Sequence, residues 1–203
     1  WINADIGWEF WKTEGNPLPQ RTIDLIAEHK VALFGAITSK PKDKAAAEIS
    51  PALRDKGHVY FSPIVGLRQR FDLDVSIRPC ITFPGNPLNF IRRSADGGFE
   101  EPKVNAVIFR QNTEGLYVNL GGSFKVGTPD EVAIQEDLNT WKGVERIVRA
   151  AYDFARANDR ARLTLVDKSD REHQSHAVVL RLREILAPLN EGDARIKVVE
   201  VPP

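Results

Sequence analysis

Two stretches of the chain carry apolar residues at helical spacing. In each stretch the apolar residues recur three or four positions apart, which is the spacing of one face of an α-helix. The first stripe consists of Val144, Ile147, Val148, Ala151 and Phe154. The second consists of Val178, Leu182, Ile185 and Leu186. The pattern predicts two amphipathic helices, each burying one face.

Short apolar runs alternate with these helices and predict strands. Residues 163–166 precede the second helix, and residues 196–201 follow it. Strand, helix and strand in this order are typical of an α/β fold. Two further runs, residues 31–37 and 106–109, are continuously apolar and predict buried strands.

The remaining elements follow from weaker patterns. Residues 22–27 predict a short helix, residues 42–56 a solvated helix, and the apolar residues Ile64, Leu67 and Phe71 another helix. Apolar residues at even spacing in residues 119–138 predict exposed edge strands or a hairpin with its turn at 127–130. Residues 83–98 are rich in proline and glycine, and this composition predicts a loop that serves as hinge or linker.

Composition narrows the class of protein. The 203-residue chain has 28 basic and 28 acidic side chains, so it lacks the positive field that attracts nucleic acid or an anionic membrane. Its single cysteine, Cys80, cannot form an internal disulfide, which fits a reducing compartment. No apolar run of about 18 residues is present. The sequence therefore predicts a soluble, cytoplasmic protein.

Candidate chemistry centres on three arginines and a tyrosine: Arg68, Arg78, Arg110 and Tyr117. Arg110 ends an apolar run, and a guanidinium beside buried strand residues favours a nearby anion. Several guanidinium groups that converge suit a polycarboxylate, because each one matches two carboxylate oxygens. The alternative is three unrelated arginines that are exposed or ion-paired.

The segments that carry these residues resemble a known family. LRQRFDLDVSIRP, which ends at Pro79, and VIFRQNTEGLY, which ends at Tyr117, are similar to the substrate-binding signature of the β-decarboxylating dehydrogenases. That family includes the isocitrate, isopropylmalate, homoisocitrate and tartrate dehydrogenases. The resemblance implies their two-domain α/β fold in partial form. Residues 1–74 would belong to the large domain, and residues 75–203 to the small domain with a dimerisation arm at 119–138.

The resemblance also implies an activity and its cofactors. The expected reaction is the NAD- or NADP-dependent oxidative decarboxylation of a (2R,3S)-malate-type hydroxy acid with Mg²⁺ or Mn²⁺. The expected partner is a second copy of the chain, in a homodimer with an active site shared between subunits. By position, Ser62, Arg68, Arg78 and Arg110 would bind substrate, Tyr117 and Lys168 would be catalytic, and Thr38, Ser39 and Asp170 would contact the cofactor.

Several departures from the family pattern keep a second hypothesis open. Asp74 replaces an aromatic residue, Gln111 replaces a glutamate, and Lys168-Ser169-Asp170 replaces K-A-N. The chain has no G-x-G-x-x-G motif, and the metal ligands of the family are not identified in it. The alternative function is a non-catalytic module for carboxylate binding or assembly.

The substrate class also stays open at this stage. Ser62 is typical of isocitrate enzymes, whereas the neighbouring Ile64 and Val65 favour the apolar group of isopropylmalate.

Overall fold

The computed structural model describes residues 1–118, 120–166, 181, 184–189 and 197–201, the last range as backbone only. The chain divides into two compact units, Trp1–Leu73 and Asp74–Pro203. The boundary does not fall in residues 83–98, where the sequence predicts a hinge. The assignment of the two units to the large and small domains of the family stays a prediction.

The first unit is built from helices. Its helices are α1 (Trp8–Glu14), α2 (Gln20–His29), α3 (Lys42–Glu48), a 3₁₀ turn (Pro51–Leu53) and α4 (Pro63–Arg70). The predicted helices at residues 22–27 and around Leu67 are confirmed, as is the first part of the helix predicted over 42–56. The core consists of Trp11, Ala45, Ile49 and Tyr60, with Trp8 and Leu53 packed against it.

The prediction of a buried strand at residues 31–37 is wrong. This segment has no regular structure, and Val31 and Leu33 are each 83% exposed. A strand is held by hydrogen bonds to a neighbouring strand, and residues 1–73, all of which the structure describes, contain none. The apolar composition is that of a strand, but this part of the chain supplies no partner for it.

A two-stranded antiparallel ribbon opens the second unit. Strand β1 (Val75–Ile81) pairs along its length with β4 (Asn105–Gln111). The sequence indicates β4 but misses β1, because Pro79 reads as a break; a proline is compatible with an edge strand, and β1 is one. The prediction that residues 106–109 are buried is wrong, since Ile108 is half exposed.

Helix α5 (Trp141–Ala157) forms the core of the second unit. Its predicted apolar stripe is confirmed, with Val144 and Val148 packing against Ile185 and Leu186. Strands β7 (Arg162–Val166) and β8 (Lys197–Val201) pair in parallel, and residues 184–189 between them are helical, as the predicted strand–helix–strand alternation requires. Val178 and Leu182 of the second predicted stripe lie outside the described residues. No helix among the described residues is long and apolar enough to cross a membrane.

Two hairpins complete the second unit. Strands β2 (Arg92–Arg93) and β3 (Phe99–Glu100) form a short one; β2 lies inside residues 83–98, which are predicted as a loop, and β3 follows directly after them. Strands β5 (Gly121–Phe124) and β6 (Val132–Gln135) form the other, which confirms the hairpin predicted from alternation. Phe124, Val132 and Ile134 on this second hairpin are about half exposed.

Candidate active site

The β1–β4 ribbon places Arg78 and Arg110 on the same face. Arg110 lies directly opposite Ser76, and residues two apart on one strand share a face, so Arg78 shares it too. The Arg78 Nε donates a hydrogen bond to the Ser76 Oγ at 3.4 Å. The other face carries Phe109, whose ring packs against Phe154 of α5 at 5.2 Å. Strand pairing thus brings together two arginines that are 32 positions apart.

Tyr117 lies against Arg110. The guanidinium donates a hydrogen bond to the Tyr117 hydroxyl, and its central carbon lies 5.1 Å from the centre of the Tyr117 ring. Tyr117 lies in a short 3₁₀ helix (Leu116–Val118) that follows β4. The turn after the strand thus brings the Tyr117 ring back against Arg110, which the strand itself carries. Arg110 has five N–H donors, so this bond leaves capacity for an anion.

Positive charge dominates this face of the ribbon. Within the part of the chain that the structure describes, no carboxylate forms an ion pair with Arg78 or Arg110. Arg110 is partly buried, which removes some of its hydration and favours an anionic ligand over water. A carboxylate-bearing molecule is the ligand that this arrangement suits, because a guanidinium fork can bind both its oxygens.

The turn between Arg110 and Tyr117 is held by Gln111. Its Oε1 accepts hydrogen bonds from the backbone N–H of Thr113 at 3.0 Å and of Glu114 at 2.9 Å. Its Nε2 donates to the Thr113 Oγ1 at 3.1 Å. Gln111, which departs from the family pattern, therefore supports the turn. Ser76, Gln111 and Glu114 belong to this site, and sequence analysis assigns none of them a role.

Asp74, another departure from the family pattern, also has a structural partner. Its Oδ2 accepts a hydrogen bond from the Arg146 Nε at 2.5 Å, and both side chains are partly buried. Arg146 belongs to α5, so the pair fastens the start of β1 to that helix. A carboxylate at this position is stable because a fixed guanidinium compensates its charge.

Ser62 and Arg68 lie on α4 in the first unit. Ser62 is the N-cap of this helix. Pro63 occupies its first position, where the backbone N–H that proline lacks would have no partner within the helix. Arg68 stands in the last turn, at the end where a cation interacts favourably with the helix dipole. Ile64 and Val65 are both partly buried in the first turn.

Thr38 and Ser39 are exposed in the segment before α3. The Tyr60 hydroxyl donates to the Ser39 Oγ at 3.2 Å, which ties the segment to the core of the first unit. The next residue, Lys40, lies 4.7 Å from the Trp8 ring and pairs with Glu48 at 2.6 Å. Hydrogen bonds from Lys40 and then from Trp8 lower the pKa of Glu48.

The candidate residues Lys168 and Asp170 lie outside the described residues. Among the residues that are described, no group of three or more His, Cys, Asp or Glu side chains could hold a metal ion. The described residues therefore do not by themselves fit a divalent cation. They do not fit a dinucleotide either, because Thr38 and Ser39 supply two hydroxyls and no glycine-rich phosphate loop accompanies them.

Comparison with known proteins shows which family the chain is similar to. The model of the isocitrate/isopropylmalate dehydrogenase family matches residues 1–194. The chain is 34% identical to 3-isopropylmalate dehydrogenase of Streptomyces griseus, covering 82% of this chain and 42% of that protein. It is 36% identical to homoisocitrate dehydrogenase of Methanocaldococcus jannaschii, covering 83% and 44%.

A solved structure supports the same conclusion. The crystal structure of isocitrate dehydrogenase from Methylococcus capsulatus superposes with a TM-score of 0.71 at 28% identity, over 97% of this chain and 50% of that one. The chain thus spans about half or less of the length of these relatives. It belongs to the isocitrate/isopropylmalate dehydrogenase family, and its α/β fold is the fold of that family in part.

Proposed function

We propose that the full-length protein oxidises and decarboxylates a (2R,3S)-malate-type hydroxy acid of the isocitrate or isopropylmalate class, with NAD or NADP and a divalent metal. The observation that carries this proposal is the shared face of Arg78 and Arg110, with the Tyr117 hydroxyl bonded to Arg110. Family membership supports the reaction class.

In this proposal the residues of the second unit have separate roles. Arg78 and Arg110 bind substrate carboxylates, each through paired N–H donors. Tyr117 delivers a proton to the carbon that loses carbon dioxide, and Arg110 holds its hydroxyl in place. Binding both the carboxylate and the proton donor through one guanidinium fixes their relative positions.

The other assignments rest on the family motif alone. Ser62 and Arg68 are proposed as further substrate ligands, Lys168 as a catalytic group, and Thr38, Ser39 and Asp170 as cofactor contacts. Because the described residues fit neither the metal nor the dinucleotide, the proposed steps for this chain stop at carboxylate binding and proton transfer.

The second candidate function is assembly, and it is compatible with the first. We propose that the β5–β6 hairpin pairs with the same hairpin of a second copy to form a homodimer. Its half-exposed Phe124, Val132 and Ile134 support this, because clustered apolar side chains favour burial in an interface. Light scattering that finds a stable monomer of the full-length protein would contradict it.

A substrate comparison tests the proposed reaction. We expect the full-length protein to turn over isocitrate or isopropylmalate, with one clearly preferred, when both nicotinamide cofactors and Mg²⁺ or Mn²⁺ are supplied. The two acids differ by an ionised carboxylate against an isopropyl group, which is a larger chemical difference than the one methylene that a pocket distinguishes by about 1–3 kcal/mol, so the preference should exceed about tenfold. Absence of turnover on every malate-type acid would contradict the proposal, and equal efficiencies would reject both substrate labels.

Arg110→Lys should weaken substrate binding with the fold intact. Lysine keeps the charge but loses the two-pronged geometry, and each lost bond to a charged group costs roughly 1.5–3 kcal/mol. We therefore expect the Kd for the preferred acid to rise at least about tenfold, measured by calorimetric titration.

The matched control for this variant is Arg92→Lys. Arg92 is an exposed arginine of the same unit that pairs with Glu100. Its replacement should leave the Kd unchanged. Equal binding by Arg110→Lys and the wild type would show that Arg110 does not clamp a carboxylate.

A further inference from the structure

The carboxylate of Glu114 fastens the turn after β4 to the start of α5. One oxygen accepts the backbone N–H of Thr140 at 2.9 Å, and the other accepts the Thr140 hydroxyl at 2.5 Å. Thr140 is the N-cap of α5, and its Oγ accepts the backbone N–H of Gly143 at 3.0 Å. The Thr140 hydroxyl thus accepts from the helix and donates to Glu114, which links the two in one chain of bonds.

The position of Gly143 fits the close approach of this carboxylate. A Cβ added at position 143 would overlap the carboxylate carbon and both oxygens of Glu114. A glycine within a helix makes the helix less stable than an alanine would, so a glycine in the first turn of α5 calls for a structural reason. Here it makes room for a negative charge at the positive end of the helix dipole.

The backbone of Glu114 is fixed as firmly as its side chain. Its N–H donates to the Gln111 Oε1 at 2.9 Å, and the N–H of the next residue, Gly115, donates to the Leu138 carbonyl at 2.7 Å. Leu138 lies two residues before the N-cap of α5. The residue after Glu114 is therefore joined to the segment that leads into the helix, while the N–H of Glu114 is held within the turn by Gln111. Tyr117 follows three residues later.

We propose that Glu114 is a positioning residue for Tyr117. By fastening the turn to α5, the carboxylate sets where the 3₁₀ helix begins, and hence where the Tyr117 hydroxyl meets Arg110. α5 also packs against the opposite face of the ribbon through Phe109 and Phe154. The helix thus serves as a common frame for the strand that carries Arg110 and the turn that carries Tyr117. This inference rests on the proposed function for the catalytic role of Tyr117, whereas the contacts that hold Tyr117 in place do not depend on it.

Glu114→Gln tests the inference in the full-length protein. The amide keeps the size and one acceptor oxygen but loses the charge and the second acceptor. Because a misplacement of about 1 Å can cost about 10²-fold in rate, we expect kcat to fall by roughly 10- to 100-fold. KM should stay close to the wild-type value, since Arg78 and Arg110 are held by the pairing of the ribbon strands rather than by Glu114. A loss of melting temperature without a change in kcat would overturn the inference.

A readout independent of turnover separates this inference from the proposed reaction. Carbon-13 labelling of the tyrosine rings gives separate signals for the tyrosines of the protein, among them Tyr60, Tyr117 and Tyr152, and the signal that is lost in Tyr117→Phe is the signal of interest. Glu114→Gln should shift or broaden the Tyr117 signal and leave those of Tyr60 and Tyr152 in place. An inactive wild-type protein with this response would reject the reaction and keep the positioning role. An unmoved Tyr117 signal would reject the positioning role.

Variants at Thr140 and Glu145 complete the design. Thr140→Val removes the hydroxyl that links Glu114 to Gly143, so it should reproduce the Glu114→Gln effect, and the double variant should be no worse than either single one. Thr140→Ser restores the hydroxyl and should restore kcat. Glu145→Gln removes a charge from the same part of α5, where Glu145 pairs with Arg149, and should leave kcat unchanged. Additive losses from Glu114→Gln and Thr140→Val would overturn the inference.

Discussion

Replacing Tyr117 with phenylalanine is expected to lower kcat by about 10²–10⁴-fold, the usual contribution of a positioned general acid or base. The variant keeps the ring that Arg110 lies over and loses only the hydroxyl that accepts its hydrogen bond. Substrate binding should therefore change little, because Arg78 and Arg110 retain their donors. Steady-state kinetics on the preferred acid, with kcat and KM reported separately, measures the effect.

Tyr152→Phe is the matched control for this experiment. Tyr152 is a buried tyrosine of the same unit, and its hydroxyl donates to the Leu189 carbonyl at 2.7 Å. Its removal should cost about 1 kcal/mol of stability, the typical worth of such a hydrogen bond, and leave kcat unchanged. Equal turnover by Tyr117→Phe and the wild type would remove Tyr117 from the proposed mechanism.

Replacing Trp11 with alanine is expected to destabilise the first unit by about 3–5 kcal/mol, the usual cost of emptying a buried aromatic site. Trp11 is 1% exposed, packs edge-on against Tyr60 at 5.4 Å, and donates its indole N–H to the Ala45 carbonyl at 2.9 Å. Because native stability is only about 5–15 kcal/mol, this loss is a large share of the total. Denaturant titration followed by circular dichroism measures it.

Trp1→Ala provides the control for the loss of a tryptophan. Trp1 is fully exposed, so its replacement should change stability by less than about 0.5 kcal/mol. Similar unfolding midpoints for the two variants would show that α1 and α3 do not depend on the Trp11 contact. The first unit would then need another source of stability than the aromatic core described above.

The elements that the sequence predicts well are those with local causes. The stripe on α5 and the alternation in the β5–β6 hairpin are periodicities within one segment, and both elements form as expected. Residues 31–37 have equally clear local composition, yet they form no strand, because a strand depends on a partner elsewhere in the chain. Pro79 causes the opposite error. In the sequence it suggests that no strand passes through this position, whereas the edge strand β1 accommodates it.

The candidate site is predictable in residue type and not in arrangement. The family resemblance selects Arg78, Arg110 and Tyr117, but their common face depends on the register between β1 and β4, which the sequence does not specify. Glu114 is visible in the motif only as a carboxylate. Its contact with α5 joins residues 26 positions apart, and Thr140 as a helix N-cap is the one sequence signal that could have suggested it.

Pro79 makes the two outer edges of the β1–β4 ribbon unequal in their capacity to pair with a further strand. The backbone N–H of Thr82 donates to the Val104 carbonyl, so by alternation the nitrogen of Pro79 faces the outer edge of β1. The outer edge of β1 therefore lacks one backbone N–H donor near its middle. The outer edge of β4 contains no proline, so each of its outward-facing residues has a backbone N–H. A further strand can therefore extend this sheet beside β4 more readily than beside β1. A single imino acid thus protects one edge of the ribbon from unwanted pairing and keeps the other receptive.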